Sequence, residues 1–329
     1  MRMVLALKGD NLMYRIGIDL GGTNIAVGLV DKDLNLLWTD SVPTGAERAP
    51  ELIVDDMAAL CKKLCADHGV ALSDIESVGI ASPGIANHDT GVVEYANNLP
   101  FRQFPIAQLL RERLGVERIR LENDANAAAW GEAVAGAAKG TTNSVMITLG
   151  TGVGGGIIID NKVYSGFNYA GAELGHIVIE VNGAQCSCGR CGCWEAYSSA
   201  TGLIRMTREK IEECEKAGRP TLMKKLAEEK GKVSGRTAFD AKRAGDAAAD
   251  EVVDKYVLYL AEGLANIVNI FQPEVVSIGG GISNEGDYLR DLLMPLIRER
   301  VYGGGIVSAT KICMAELGNN AGIIGAAML

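Results

Sequence analysis

Residues Ile16-Gly-Ile-Asp-Leu-Gly-Gly-Thr-Asn-Ile-Ala-Val-Gly-Leu-Val-Asp31 align without a gap on Val145-Met-Ile-Thr-Leu-Gly-Thr-Gly-Val-Gly-Gly-Gly-Ile-Ile-Ile-Asp160. Ile18, Leu20, Gly21 and Asp31 match Ile147, Leu149, Gly150 and Asp160. Each stretch reads as an apolar strand, a glycine turn and a second strand, which is a β-hairpin opening a domain. Two apolar hairpins can be alike by chance. A true repeat means two related α/β halves facing each other across a cleft.

Working outward, helix and strand patterns alternate. Helical spacing runs over Leu52 to His68, Ile106 to Leu114, alanine-rich Ala125 to Ala138 and Ala247 to Phe271, the last stopped before Pro273. Val78 to Ala81, Ile119 to Leu121 and Val275 to Ile278 read as strands, the first closed by the turn Ser82-Pro83-Gly84. Such alternation predicts α/β architecture, and a length of 329 residues fits two domains.

Glycine is enriched, at 41 residues, and it clusters at Gly21-Gly22, Gly150 to Gly156, Gly279 to Gly281 and Gly303 to Gly305. The first three clusters follow apolar, β-branched runs, the arrangement that lets a backbone approach phosphate closely. Gly150 to Gly155 fits G-x-G-x-x-G, yet a strand follows it where a dinucleotide site needs a helix. A Walker A loop is excluded by the lack of G-K-[ST], and a protein kinase by the lack of H-R-D and D-F-G. What remains is a pair of phosphate-gripping hairpins. Asp19, at the strand end before Gly21-Gly22-Thr23-Asn24, is placed to hold hydrated Mg2+ between carboxylate and phosphates. The simpler role for Asp19 is to close a turn.

Glu122-Asn123-Asp124-Ala125-Asn126 lies between a strand and the alanine-rich helix. Asp124 suits a helix N-cap, and it equally suits a base that takes the proton of a substrate hydroxyl in phosphoryl transfer. A helix N-terminus is expected to lower its pKa. Cys186-Ser-Cys188-Gly-Arg-Cys191-Gly-Cys193 offers four thiols, with His176, one of only three histidines, ten residues upstream. In a reducing compartment the cluster reads as a zinc site, ligated either by three thiolates and the imidazole or by all four thiolates. Glu173 and His176 at i, i+3 and Glu195 beyond Cys193 would be held together by it, a set able to accept and donate to sugar hydroxyls.

Bulk properties narrow the function further. A net charge of −9 leaves no electrostatic footprint for nucleic acid. The run Met3 to Leu7 is too short for a signal-peptide core, and no run of about 18 apolar residues predicts a membrane span. A cytoplasmic protein is expected. The first twelve residues read as an extension that adds nothing to the fold.

Together these motifs resemble the ROK family (repressors, open reading frames and kinases), within it the bacterial glucokinases, over positions 15 to 327. The carriers are Asp19-Leu-Gly-Gly-Thr-Asn24, Ala81-Ser-Pro-Gly84, Asn98-Leu-Pro100, Glu122-Asn-Asp-Ala-Asn126, Leu149-Gly-Thr-Gly152, Gly171-Ala-Glu-Leu-Gly-His176 and Cys186-x-Cys-Gly-x-x-Gly-Cys-x-Glu195. The resemblance implies an actin-like, RNase H-like ATPase fold with two α/β domains around a central cleft. It implies Asp124 as base, and Gly84, Asn98, Asn123, Glu173, His176 and Glu195 as sugar contacts. ATP and Mg2+ are implied at Asp19, Gly21, Gly22, Thr23, Asn24, Thr151, Gly152, Gly279, Gly280 and Gly281. Structural zinc is implied at His176, Cys186, Cys188 and Cys193, with Cys191 spare. Phe101 and Phe104 are candidates for an aromatic sugar wall. The activity implied is ATP-dependent phosphorylation of glucose at its 6-hydroxyl. Rivals are a kinase for N-acetylmannosamine, mannose or fructose, and a non-catalytic sugar sensor. The family's repressors carry an N-terminal helix-turn-helix, and about fourteen residues before the first strand are too few for one. A homo-oligomer, dimer or tetramer, is implied. The small domain is expected over residues 1–124 with the tail from about 313 to 329 packed back on it. Residues 125–312 would form the large domain carrying the zinc and the oligomer surface.

Overall fold

The computed structural model describes residues 13–304 and 309–329. The proposed extension over the first twelve residues, and Gly305 of the last glycine cluster, lie outside the described residues. The chain divides into two compact units. One runs to Ala135 and takes back Ser165–Gly171 and Asn319–Leu329; the other comprises Gly136–Tyr164 and Ala172–Gly318.

The first unit is built on a five-stranded sheet. Its strands are β1 (Tyr14–Leu20), β2 (Asn24–Val30), β3 (Leu36–Pro43), β4 (Ile75–Ser82) and, after the small antiparallel sheet β5 (Ile85–Asn87), β6 (Val92–Tyr95) and β7 (Arg102–Phe104), β8 (Ile119–Asn123). The order is β3-β2-β1-β4-β8, with the first three strands antiparallel and β1, β4 and β8 parallel. Strand residues Ile16, Ile18, Leu20, Val78 and Ile80 are fully buried and join one core with Ile53, Met57 and Leu64 of α1 (Pro50–Asp67) and Leu110 of α2 (Ile106–Leu114). α3 (Asp124–Ala135) follows β8 directly.

The second unit repeats the plan with β9 (Ser144–Leu149), β10 (Val153–Ile159), β11 (Lys162–Val163), β12 (Val275–Gly279) and β13 (Lys311–Met314) in the order β11-β10-β9-β12-β13. Again the first three are antiparallel and the rest parallel to β9. Between its third and fourth strands the chain inserts the cysteine segment and α4 (Glu195–Ser198), α5 (Ala200–Lys216), α6 (Leu222–Glu229), α7 (Thr237–Arg243) and α8 (Ala247–Phe271). α9 (Asp287–Arg300) then precedes β13.

The repeat therefore extends to whole sheets, with one amendment. Leu20 pairs with Ile25, whereas its counterpart Leu149 pairs with Val153, so the second turn is one residue shorter. The ungapped alignment slips by one on the return strand, and Asp160 is not the structural partner of Asp31.

The boundary expected at 124/125 lies after Ala135. α3 packs on the C-terminal helix Ala321–Ala327, which also covers β1 and β4. A Cβ on Gly325 would stand 1.7 Å from the Ala127 carbonyl oxygen, so only glycine permits this helix approach. The returning tail is also shorter than expected: Lys311–Met314 is the last strand of the second sheet, and the chain comes back only from Asn319.

Candidate active site

In the first unit three parallel strands end side by side, the edge at which open α/β sheets take ligands. Asp19 pairs with Ala81, Ala81 with Glu122, and Ser82 with Asn123. Burial, and then the charge of Asp124, push the Asp19 carboxyl up to about 6. The Asp124 carboxyl is also raised, because desolvation outweighs the N–H groups of Ala125 and of its own backbone. The lowered pKa expected from a helix N-terminus is thus overturned by burial. Two carboxylates held this way favour a bound cation, the situation Mg2+ relieves.

Asn123 Oδ1 accepts from the Ala125 and Asn126 amides at 2.9 and 3.1 Å, so Asn123 is the residue that caps α3. Its Nδ2 donates to the Gly84 carbonyl at 3.1 Å. Asp124 is thereby relieved of the capping role. Asn98 lies against the hairpin turn, its Cβ 3.4 Å from where a Gly22 side chain would begin. Phe101 and Phe104 do not form an open wall. Both are buried and stack on each other at 4.8 Å within the core.

The hairpin turns are fastened alike. Thr44 Oγ1 donates to the Gly21 carbonyl at 2.6 Å and Thr44 N to that of Thr23 at 2.8 Å. In the second unit Ala200 N donates to the Gly150 carbonyl at 2.8 Å and Thr201 Oγ1 to that of Thr151 at 2.7 Å. Each clamp occupies carbonyl oxygens, the groups that would repel phosphate. Thr44 and Thr201 carry no motif of their own, so nothing in the sequence marks them. Gly279, pairing with Thr148 at the end of β12, is the counterpart of Ala81 beside Asp19. The chain then turns through Gly280 and Gly281.

The second unit brings His176, Cys186, Cys188 and Cys193 together, with one ligand atom from each within 4.8 Å of the others. Cys186 Sγ stands 3.7 Å from His176 Nδ1, and Cys188 Sγ 3.6 Å from Cys193 Sγ. Tetrahedral zinc with Zn–S of about 2.3 Å requires ligand separations of this size. The donor set therefore fits zinc. The Cys188 thiol is held low, first by the Arg190 backbone N–H, while burial pushes Cys193 up to about 12. Cys191 is exposed and its thiol donates to Gln185 Oε1 at 3.3 Å, away from the set. Trp194, fully buried, ties the segment to α8 through Nε1 and the Tyr259 carbonyl at 3.0 Å.

Glu195 joins this segment to the second hairpin. Its Oε2 accepts from Val153 N at 3.0 Å and its Oε1 from Ser187 Oγ at 2.8 Å. A Cβ on Gly152 would be 2.3 Å from Oε2, which explains that glycine. Glu173 stands immediately before the short turn Leu174–His176 and its carbonyl accepts from His176 N at 3.0 Å.

Sequence reasoning passed over two residues of the first unit. Glu122 is 3% exposed and accepts through Oε1 from Asn123 N at 2.9 Å and Asn126 Nδ2 at 3.0 Å. His88 Nδ1 faces its Oε2 at 3.2 Å. The scarcity of histidine, three in the chain, was the one available signal.

A doubled five-stranded sheet of this order, with carboxylates at one set of strand ends and glycine turns at both, defines an ATPase of the actin-like fold. The ROK family model matches residues 15–329, and the chain belongs to the ROK family. It is 37% identical over 314 residues to a glucokinase of Streptomyces coelicolor, covering 95% of this chain and 96% of that one. A glucokinase of Thermotoga maritima is 38% identical over 321 residues, with 95% and 96% covered. A crystal structure of a ROK family glucokinase from Streptomyces griseus in complex with glucose and AMPPNP superposes with a TM-score of 0.77 at 35% identity, covering 96% of this chain and 98% of that one.

Proposed function

We propose that this protein transfers the γ-phosphoryl group of ATP to the 6-hydroxyl of glucose, with Asp124 as the general base. The observation that carries the base assignment is local. Asn123 caps α3, so Asp124 is not needed there, and burial holds the Asp124 carboxyl above its ordinary pKa. The similarity to glucokinases over nearly the whole chain supports the reaction and the substrate.

In this reading Gly84, Asn98 and Asn123 of the first unit and Glu173, His176 and Glu195 of the second hold sugar hydroxyls. Gly21, Gly22, Thr23, Asn24, Thr151, Gly152 and Gly279 to Gly281 receive the nucleotide. Asp19 carries Mg2+ through water, and the cation neutralises charge building on the phosphoryl oxygens. His176, Cys186, Cys188 and Cys193 hold zinc whose role is structural, since four protein ligands leave no open position. The zinc-clamped segment then fixes Glu195, and Glu195 fixes the second hairpin turn through Val153. None of the eight cysteines is joined in a disulfide, and three of them stand in the proposed zinc set, which supports a cytoplasmic setting. Among the described residues no helix is long and apolar enough to cross a membrane. A homo-oligomer remains part of the proposal on family resemblance.

The test is ADP formation measured across a panel of hexoses, with zinc counted by elemental analysis. Glucose should give the highest kcat/KM. Equal or better turnover of N-acetylmannosamine, mannose or fructose would reassign the substrate, and no ADP with any hexose would favour a sensor.

A further inference from the structure

We propose that His88 is a positioning residue for the catalytic loop, acting through the buried carboxylate of Glu122. Glu122 sits where β8 turns into α3 and holds that junction from two sides. Its Oε1 takes the backbone N–H of Asn123 and the side-chain amide of Asn126. Asn123 in turn caps α3 and reaches the Gly84 carbonyl, so the carboxylate's orientation sets the first turn from which Asp124 projects. A carboxylate that is 3% exposed needs donors on both oxygens. Among the hydrogen bonds described, Oε2 meets only the His88 ring, Nδ1 at 3.2 Å.

The ring is itself held from outside. Tyr169 packs edge-on against it, centroids 4.9 Å apart, and donates its hydroxyl to Asp89 Oδ2 at 2.6 Å. Asp89 Oδ1 stands 3.6 Å from His88 Nε2. Tyr169 belongs to Ser165–Gly171, the segment that leaves the second stretch of sequence to pack in the first unit. Its backbone is in the left-handed region, φ 64°, a conformation that a bulky residue adopts only when its surroundings impose it. The charged and titratable groups facing the imidazole are thus Glu122, Asp89 and Tyr169. Facing an ionised Glu122, His88 Nδ1 is the nitrogen that carries the proton and donates.

This inference rests on reading Asp124 as the base. The experiment compares the full-length wild type with His88→Ala, His88→Leu and His88→Asn, using glucose and MgATP, and records kcat, both KM values and melting temperature. A misplacement of about 1 Å costs on the order of 100-fold in rate. His88→Ala and His88→Leu should therefore lose about 10- to 100-fold in kcat with KM for ATP unchanged. His88→Asn, whose amide N–H falls near the position of Nδ1, should recover most of that loss. Leucine keeps the bulk without the donor, so the Leu and Asn pair decides the matter even if the alanine variant is too unstable to purify. Wild-type kcat in His88→Leu overturns the proposal. So does an asparagine variant no better than leucine, or losses in kcat and both KM values that merely follow melting temperature. A wild type with no hexose kinase activity removes the catalytic reading and this proposal together. An active wild type with unaffected variants removes this proposal alone.

Discussion

The two sheets are built to one plan and carry opposite chemistry at the same place. At the end of the first strand the first unit has Asp19 and the second has Thr148. At the end of the fourth strand Ala81 corresponds to Gly279, and beside them Glu122 corresponds to Ala315. One step further, Asn123 and Asp124 correspond to Glu316 and Leu317. The first unit thus gathers three carboxylates, Glu122 buried and Asp19 and Asp124 largely desolvated, the set proposed above for the cation and the proton. The second presents Thr148, Gly279 and Ala315 at the equivalent strand ends, with Glu316 exposed beyond them, the edge proposed above for the nucleotide. The two equivalent edges differ at a few strand-end residues, and the proposed division of labour follows those differences.

Asp124→Asn is the strongest test of that division. Turnover should fall about 10²- to 10⁴-fold, the scale of general-base catalysis, while glucose binding by calorimetry persists. Near-normal turnover would sink the assignment of the proton-transfer role to the first unit. Next comes the cysteine segment proposed to hold zinc, part of the large insertion in the second unit. Cys193→Ser should abolish stoichiometric zinc and cost about 3 kcal/mol or more in unfolding free energy, as loss of a structural metal does. Retention of full zinc would remove Cys193 from the ligand set.

Asp19→Asn separates stability from function. The folded-state pKa is raised to about 6 from an ordinary 3.8, so the folded protein binds more protons than the unfolded chain between those values. Stability from this group is present below about pH 4 and is lost as pH rises through about 6, at most about 3 kcal/mol. Near pH 7.5 the asparagine variant should melt higher than wild type without nucleotide, yet turn over far less. Near pH 4 the two should melt alike, and a lower melting point for the variant at about pH 7.5 would contradict the burial argument. The smallest expected effect is that of Gly152→Ala. Its Cβ would displace the Glu195 carboxylate from the second turn, and KM for ATP should rise about tenfold with kcat changed less, worth about 1.4 kcal/mol. An unchanged KM would detach the second hairpin from the nucleotide.

Much of the fold and of the proposed site is legible in the chain because its residues lie on local motifs. The two hairpins, Glu122 to Asn126, and the four clustered donors at 176 to 193 sit on short contiguous segments whose residue types carry their chemistry. The helix over Ala247 to Phe271 was read with its observed bounds, since apolar periodicity and Pro273 specify both core face and end. What escaped was set by distant packing. The one-residue difference in hairpin register depends on turn geometry that glycine leaves open. The raised pKa of Asp124 depends on how deeply its loop is buried. The pairing of His88 with Glu122 spans 34 residues, and nothing local announces it. The domain boundary moved because α3 answers to a helix near the C-terminus.

That helix has a consequence for how the protein is made. Ile323, Ile324, Ala326 and Ala327 are buried in the unit that contains the first strand, so the first unit lacks part of its interior until this helix is synthesised. At about 5–20 residues per second, a ribosome needs roughly 10–40 s to travel from α3 to this helix. During that interval β1, β4 and α3 wait with an apolar face uncovered, and the second unit has time to fold ahead of the one that begins the chain. Translation speed and chaperone access between the codons of α3 and those of this helix therefore bear on the yield of the first unit.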